Sequence, residues 1–531
     1  MLNYRKPVVF VLMRGRGPGA EQQAVSNSIS FPNLEGEPTN GHVSIYKTYW
    51  GRQGLGAQES NGSAVAVHWN TGRLPPHRAG LQTVEYGRAP GQLWMQATEL
   101  RVSSYGRDDM CGGVAAARGF RDGGLHWTAV LPGLVAGETI YYRYGSAVDG
   151  WSSPAFFVAP SSPPPLLPPL AQSDGAREQD AEQGINLVRV TRFLAFGDLG
   201  QHSPDDAFQH CDCPASRRNT DAMERLVAKS YADGEPGAHA ILHVGDLSYA
   251  MGYAAEWDAF LHQIAPLARR VPYMTAIGNH ERDWPESGSN VGQYDSGGEC
   301  GVPYAHRFPM PLPTPSPLKS IVEGKGKAPR RRVPDLAYYS FDQGLVHVVV
   351  LSSEHIAQVE WLEQDLTAVR RDVTPWVVVA LHRPMYFTGV DGKGGDDYKV
   401  AAYLRDAYEE VLLRHKVDLV LAGHHHSYQR TCPIFNYTCA PPVEGGGAGY
   451  WGPVHVVIGM AGFANTPIIT FPPRQFVYTN SHNHGFTRFS AHPEALLFEY
   501  LVPLIEGKLG SGTSESVVDG CLVKDSFVLS H

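Results

Sequence analysis

Seven residues of this chain have the types and spacing to do chemistry: Asp198, Asp246, Tyr249, Asn279, His382, His424 and His426. Carboxylate, phenol, amide and imidazole together suit hard and borderline metal ions. Two such ions roughly 3.5–4 Å apart can clamp a phosphoryl group and activate a water between them. Asp246 is the candidate bridge between the two ions. Asp198, Tyr249 and His426 then complete the first, and Asn279, His382 and His424 the second. In Gly423-His424-His425-His426 the outer histidines are two apart, so in extended backbone they point the same way and His425 points elsewhere. His280 and Glu281 follow Asn279 directly; an imidazolium there can hold a phosphoryl oxygen or protonate a leaving group, with the glutamate orienting it. Singly, an Asp after a strand is usually a turn or cap residue. The conjunction of all these residues in order carries the inference.

The elements that gather them are short apolar runs with strand character at 192–197, 240–245, 273–278, 346–352, 376–381 and 418–422. All but 346–352 lead into one of these residues. In α/β structure the carboxyl ends of strands converge on one crevice, so donors far apart in sequence can meet there. Between the runs, apolar residues recur at helical spacing over 220–229, 256–269, 357–370 and 400–415. Ahead of them, from about residue 40 to 160, short alternating segments at 64–69, 82–86 and 139–144 punctuated by Gly and Pro read as a β-sandwich. Half of residues 161–170 are proline and a polar run follows, which marks a linker. The stretch 311–334, rich in Pro, Gly, Lys and Arg, reads as an exposed insertion. The expected domains are therefore a β-remnant at 1–38, a sandwich at 39–160, a linker at 161–188, a catalytic domain at 189–450 and its completion at 451–531.

With 531 residues the chain is long enough for two or three domains, and 43% hydrophobic with 18% charged residues is an ordinary globular balance. A net charge of -9 offers no basic face for nucleic acid. No apolar stretch approaches the roughly 20 residues that span a bilayer. The apolar run at 7–13 lacks a small-residue cleavage site and reads as a strand; no signal peptide is visible. Of seven cysteines, Cys432 and Cys439 are close enough to close a short loop, and the odd count leaves at least one thiol over. Asn61 and Asn436 head glycosylation sequons.

The blocks Asp198-Leu199-Gly200, Gly245-Asp246-Leu247-Ser248-Tyr249, Gly278-Asn279-His280-Glu281, the strand-end His382 and Gly423-His424-His425-His426 resemble, in order, those of the purple acid phosphatases. The likeness runs along nearly the whole chain, through Asp109-Met110-Cys111-Gly112, 252–301, 382–386 and 428–433, and is strongest to large plant and algal forms that include nucleotide pyrophosphatase/phosphodiesterase-like members. It implies an α/β fold, a four-layer metallophosphoesterase β-sandwich flanked by helices, preceded by a fibronectin type III-like all-β domain. It also implies an Fe(III) ion with divalent Zn, Mn or Fe, the ferric ion binding Tyr249 as phenolate. Cytosolic Ser/Thr phosphatases place a histidine where this chain has Gly200. The expected activity is acid hydrolysis of phosphate monoesters by a metal-activated hydroxide, with small phosphorylated substrates as partners. Smaller plant members carry two histidines where this chain has Asp391-Gly392, so the second acid is open among His425, His355 and Arg383. Losing that positive pair keeps a phosphodiesterase or nucleotide pyrophosphatase in view. A non-catalytic binding protein is opposed by the full ligand set. The resemblance of 4–31 to the end of an additional β-domain implies a lost leader and a secreted or vacuolar protein.

Overall fold

The computed structural model describes residues 11–14, 21–25, 38–47, 63–97, 99–161, 190–202, 210–232, 236–285, 287, 289, 291–311, 337–355, 358–389, 396–441, 450–469, 472–504 and 516–530. The expected linker and the 311–334 insertion fall almost wholly outside these residues, as do Asn61 and Asp391-Gly392.

Two antiparallel sheets form the N-terminal sandwich. One holds Thr39–Lys47, Ser63–Thr71, Leu125–Leu134 and Glu99–Ser103; the other is built on Thr139–Ser146 and Thr83–Gly87. Alternate residues such as Val65, Val67, Trp69, Tyr142 and Tyr144 turn inward to fill the space between the sheets.

The larger unit has four layers. Its first sheet runs Tyr273–Ala276, Ala240–Val244, Thr191–Phe196, Phe486–Ala491, Ala495–Pro503 and Cys521–Ser530, the first three parallel and the rest antiparallel. Its second sheet orders Tyr339–Gln343, Val346–Val350, Trp376–Leu381, Leu419–Ala422, Val454–Ile458 and Tyr428–Phe435, with parallel pairing from Val346–Val350 through Val454–Ile458. The sheets pack face to face, and their central parallel strands, such as Trp376–Leu381 and Leu419–Ala422, are apolar on both sides. Phe193, Ala195, Leu242, Val348, Val378 and Leu421 meet between them. Their sequence neighbours Leu194, Phe196 and Ile241 face helices Pro214–Ala232 and Ala254–Ala268, and Val349, Val377, Val379 and Val420 face helices Val359–Thr367 and Asp396–Arg414. Strands after residue 450 complete both sheets.

Each of the six expected strands forms, within two residues at either end. Helix ends differ more. The helix expected over 220–229 begins at Pro214, a residue suited to a first helical turn. That expected over 400–415 begins at Asp396, where two acidic residues complement the helix dipole. That expected over 357–370 shrinks to Val359–Thr367, because the Gln358 side chain bonds both N–H and C=O of Ser352 and holds the entry non-helical.

The two units are fastened together. Cys111 is bridged to Cys300, 189 residues away, and Tyr142 donates to the Arg269 carbonyl at 2.8 Å. Cys432 and Cys439 are also bridged.

One buried ion cluster ties helix Val359–Thr367 to the second sheet. His347 Nδ1 lies 2.6 Å from Asp342 Oδ1 and its Nε2 lies 2.9 Å from Asp365 Oδ2. Burial opposes the imidazolium, but Asp365 and Asp342 outweigh it and raise the His347 pKa. A raised folded-state pKa gives stability that is complete below the unfolded value near 6.5 and is lost as pH climbs through the folded value. Thermal unfolding followed from pH 6 upward is therefore expected to show stability falling, by up to about 1.4 kcal/mol for each pH increment of one between those two values. In His347→Gln that component of the slope disappears.

Candidate metal centre

All seven expected ligand positions lie just beyond the carboxyl ends of parallel strands, some from each sheet. Thr191–Phe196 leads to Asp198, Ala240–Val244 to Asp246 and Tyr249, and Tyr273–Ala276 to Asn279. From the facing sheet, Trp376–Leu381 leads to His382, and Leu419–Ala422 to His424 and His426. The turns that aim them are strained: Asp198, Asp246, Tyr249 and His424 have φ of 60, 50, 51 and 68°. Left-handed backbone costs a non-glycine residue of the order of 1–2 kcal/mol, and it persists only where surrounding structure over-determines it. Glycine is required behind the ligands, since a Cβ at Gly278 would collide with the Asp246 carboxylate, and one at Gly423 would crowd Asp198 Oδ2 at 2.5 Å.

The donors form two adjoining groups. In the first, the Tyr249 hydroxyl donates to Asp198 Oδ1 at 3.1 Å and lies 2.8 Å from His426 Nε2, which is 3.4 Å from the same Asp198 oxygen. In the second, Asn279 Oδ1 lies 2.8 Å from His382 Nε2 and 2.9 Å from His424 Nδ1, with Asp246 Oδ1 3.2 Å from His382 Nε2. Ligating atoms of Asp246, His382 and His424 all fall within 4.8 Å of one another.

Each histidine ring is oriented by its outer nitrogen. His382 Nδ1 donates to the Val244 carbonyl at 2.9 Å and His426 Nδ1 to the Ala464 carbonyl at 2.7 Å, and His424 Nε2 lies 3.0 Å from Asp397 Oδ1 and 3.1 Å from Arg383 Nη1. The inner nitrogen of each ring is left facing the centre, the arrangement by which outer partners prepare imidazole for a metal once that nitrogen is deprotonated. Asn279 is set likewise, its amide donating to Asp295 Oδ2 at 3.0 Å so that its oxygen faces inward. Asp246 Oδ2 is buried without a hydrogen-bond partner. Lone pairs converging on an unsatisfied buried oxygen fit cations. The chemistry of the set fits two different ions, an oxygen-rich place with Tyr249 and a nitrogen-rich place with two histidines.

Electrostatics in the metal-free protein follow from the same crowding. Burial pulls His382 down, but Asp246 prevails and carries it up to about 10. Burial works to raise Asp246, yet His382 and His280 hold it well below the carboxylate range. Tyr249 is pushed far above an ordinary phenol by burial and then by Asp198 and Asp246, so without a cation it stays protonated.

His280 lies where expected, its N–H donating to Asp246 Oδ1 at 2.9 Å, its Nδ1 3.1 Å from the Asp295 carbonyl, and its Nε2 3.8 Å from Asp246 Oδ2. Glu281 does something other than orient it. The carboxylate accepts from the backbone N–H of Asp246, Leu247 and Gly278 at 3.0, 2.8 and 2.9 Å, so it braces the Asp246 turn. The proposed substitutes for a second acid also differ from expectation. His425 is buried, stacks on Phe387 with ring centroids 3.9 Å apart, and is lowered by burial to about 4, leaving it neutral over most of the acid range. Arg383 is buried against Asp283, Glu354 and Asp397 at 2.7, 2.9 and 3.1 Å; these hold its charge more firmly still and rule it out as a proton donor. His355 contributes its carbonyl to Gln358. Sequence reasoning gave no role to Asp295, Asp397 or Phe463, whose ring stacks on Tyr249 at 4.0 Å.

Two sheets packed face to face, with candidate metal donors gathered at their shared carboxyl edge, are the architecture of the metallophosphoesterase class. The model of the calcineurin-like phosphoesterase family matches residues 191–428, that of the purple acid phosphatase N-terminal domain 54–159, and that of the iron/zinc purple acid phosphatase-like protein C 452–503. Two proteins of Arabidopsis thaliana, named probable inactive purple acid phosphatase 27 and 24, are each 30% identical over 94% of this chain, and the matches cover 73% and 72% of those proteins. The nucleotide pyrophosphatase/phosphodiesterase of Hordeum vulgare is 29% identical over 67% of this chain and 86% of its own. The purple acid phosphatase PPD1 from yellow lupin (Lupinus luteus) seeds superposes with a TM-score of 0.71 at 26% identity, covering 100% of this chain and 80% of that one. This chain belongs to the purple acid phosphatase family.

Glu281→Ala strands three buried amides, each worth about 1–3 kcal/mol when left unsatisfied. A fall in stability of about 3 kcal/mol or more is expected in denaturant unfolding, with loss of bound metal by elemental analysis, whereas His280→Ala should leave stability nearly unchanged.

Proposed function

We propose that this chain is an active phosphoesterase holding Fe(III) beside divalent Zn, Mn or Fe, and that it hydrolyses phosphate monoesters in acid. The observation that carries the reading is Tyr249: a fully buried phenol placed against a carboxylate and an imidazole, in a position that a hard trivalent ion would deprotonate. Asp198, Tyr249 and His426 would hold the ferric ion, Asn279, His382 and His424 the divalent one, and Asp246 both. When bound, the ions supply charge for the phosphoryl oxygens and an activated water. His280, anchored through Nδ1, turns Nε2 toward the same space and is placed to hold a phosphoryl oxygen or to protonate the leaving group. Phe463 lies over Tyr249 and near His426, with ring centroids 4.0 and 5.1 Å apart, and shields the ferric side. Secretion or vacuolar delivery goes with this reading, and the two disulfides support it.

A second reading, diester or pyrophosphate hydrolysis at the same centre, has its own support. Arg383, the cation beside His424, is paired with Glu354 and Asp397 and bonded to Asp283, which leaves little to attract a monoester dianion on that side. The barley relative's name points the same way.

Iron-loaded wild-type protein is expected to absorb in the visible through phenolate-to-iron charge transfer, and Tyr249→Phe to lose that band; a colourless wild type with full iron content would refute the ferric assignment. On p-nitrophenyl phosphate, its bis ester and ATP, the monoester should be turned over fastest at acid pH, and clear preference for the bis ester would favour the second reading. His280→Ala should lower kcat by about 10²-fold or more.

A further inference from the structure

Seven cysteines less the four in Cys111–Cys300 and Cys432–Cys439 leave three thiols, and two of these are neighbours in space. Cys211 Sγ and Cys213 Sγ stand 3.5 Å apart, with only Asp212 between them in sequence. Cys521 is buried in the core beneath helix Pro214–Ala232, in a strand paired with Pro503.

We propose that Cys211 and Cys213 are a redox-active dithiol that closes to a third disulfide in the folded protein, at the entry to helix Pro214–Ala232. A chain that carries two other disulfides matures where thiols are oxidised, and a thiol pair already in contact there does not stay reduced. The geometry distinguishes attacker from resolver. Cys211 is half-buried and reachable from solvent, whereas Cys213 is buried. The two sulfurs share a hydrogen bond, and a Cys211 thiolate accepting it from Cys213 is favoured, which lowers the pKa of Cys211. With a small disulfide such as glutathione disulfide as oxidant, the Cys211 thiolate attacks one of its sulfurs and releases the first glutathione as thiolate. Cys213 then loses its proton, displaces the second glutathione from the mixed disulfide and forms the intramolecular S–S bond. Two protein thiols are oxidised and one glutathione disulfide is reduced to two glutathiones.

A ring that spans a single intervening residue constrains the bond, and constrained disulfides are the more readily reduced. The pair is therefore expected to switch under conditions that leave the other two bridges intact. Its position gives the switch a local target: the Cys213 N–H donates to the Gln201 carbonyl at 2.9 Å, and a Cβ on Gly200 would collide with Cys213 Sγ. Gly200 and Gln201 continue the turn that begins at Asp198.

The test is thiol mapping on the full chain made through a secretory pathway, alkylated with N-ethylmaleimide in denaturant without reductant. One label, on Cys521, is expected, with the peptide holding Cys211 and Cys213 two hydrogens lighter than its reduced form. A dithiothreitol titration should then label Cys211 and Cys213 before Cys111, Cys300, Cys432 or Cys439. In Cys211→Ser, Cys213 and Cys521 should both be labelled. Three labelled thiols after incubation with glutathione disulfide, a stable glutathione adduct on Cys211, or an unlabelled Cys213 in Cys211→Ser would each overturn the proposal.

Discussion

The fold is arranged around one buried carboxylate. Asp246 is almost fully enclosed, its backbone is in the left-handed region, and one of its oxygens has no hydrogen-bond partner. Each of these is unfavourable alone, and an unpaired buried charge is among the costliest features a protein can carry. They persist together because Glu281 ties down the amides on both sides of the turn, and because His382 and the His280 amide meet the other oxygen. A cation held by Asp246 would remove the remaining penalty, which is why the donors around it suit a metal site.

That requirement explains the double sheet. No single sheet edge offers enough donors in a small volume, whereas two parallel-stranded edges packed face to face bring donors from five strand ends together. The outer contacts finish the alignment. Asp397 lies in the first turn of helix Asp396–Arg414 and holds His424, while the buried Arg383 links the buried Asp283 and Glu354 to the half-exposed Asp397 beside it. Asp295, which sets both Asn279 and His280, belongs to the segment anchored by Cys300, so the bridge to Cys111 connects the N-terminal sandwich to the loop that orients the centre.

The strands and the gathering of the seven candidate residues at their ends are legible in sequence because both depend on short-range pattern: apolar runs followed at once by Asp, Asn or His. Binary alternation such as Phe193 and Ala195 inward, Leu194 and Phe196 outward, also follows from local periodicity. What was not legible depends on pairing across distance. Glu281 sits beside His280 in sequence, which suggested a partnership, but helix geometry sends its side chain back to the Asp246 turn. Cys111 and Cys300 are 189 residues apart, and nothing in either segment announces the other. Asp397 lay inside a helix expected to begin later, so it was hidden by a boundary error of a few residues. Arg383 and His425 lie near the candidate ligands in sequence, but burial against three acids and against Phe387 decides what each can do.

Anomalous diffraction from crystals of the metal-loaded protein, recorded on both sides of the iron absorption edge, tests the central claim most directly. Two peaks roughly 3.5–4 Å apart are predicted, Asp246 between them and the iron peak bound by the Tyr249 oxygen. A single peak, or density that leaves Asp246 Oδ2 unligated, would contradict the account.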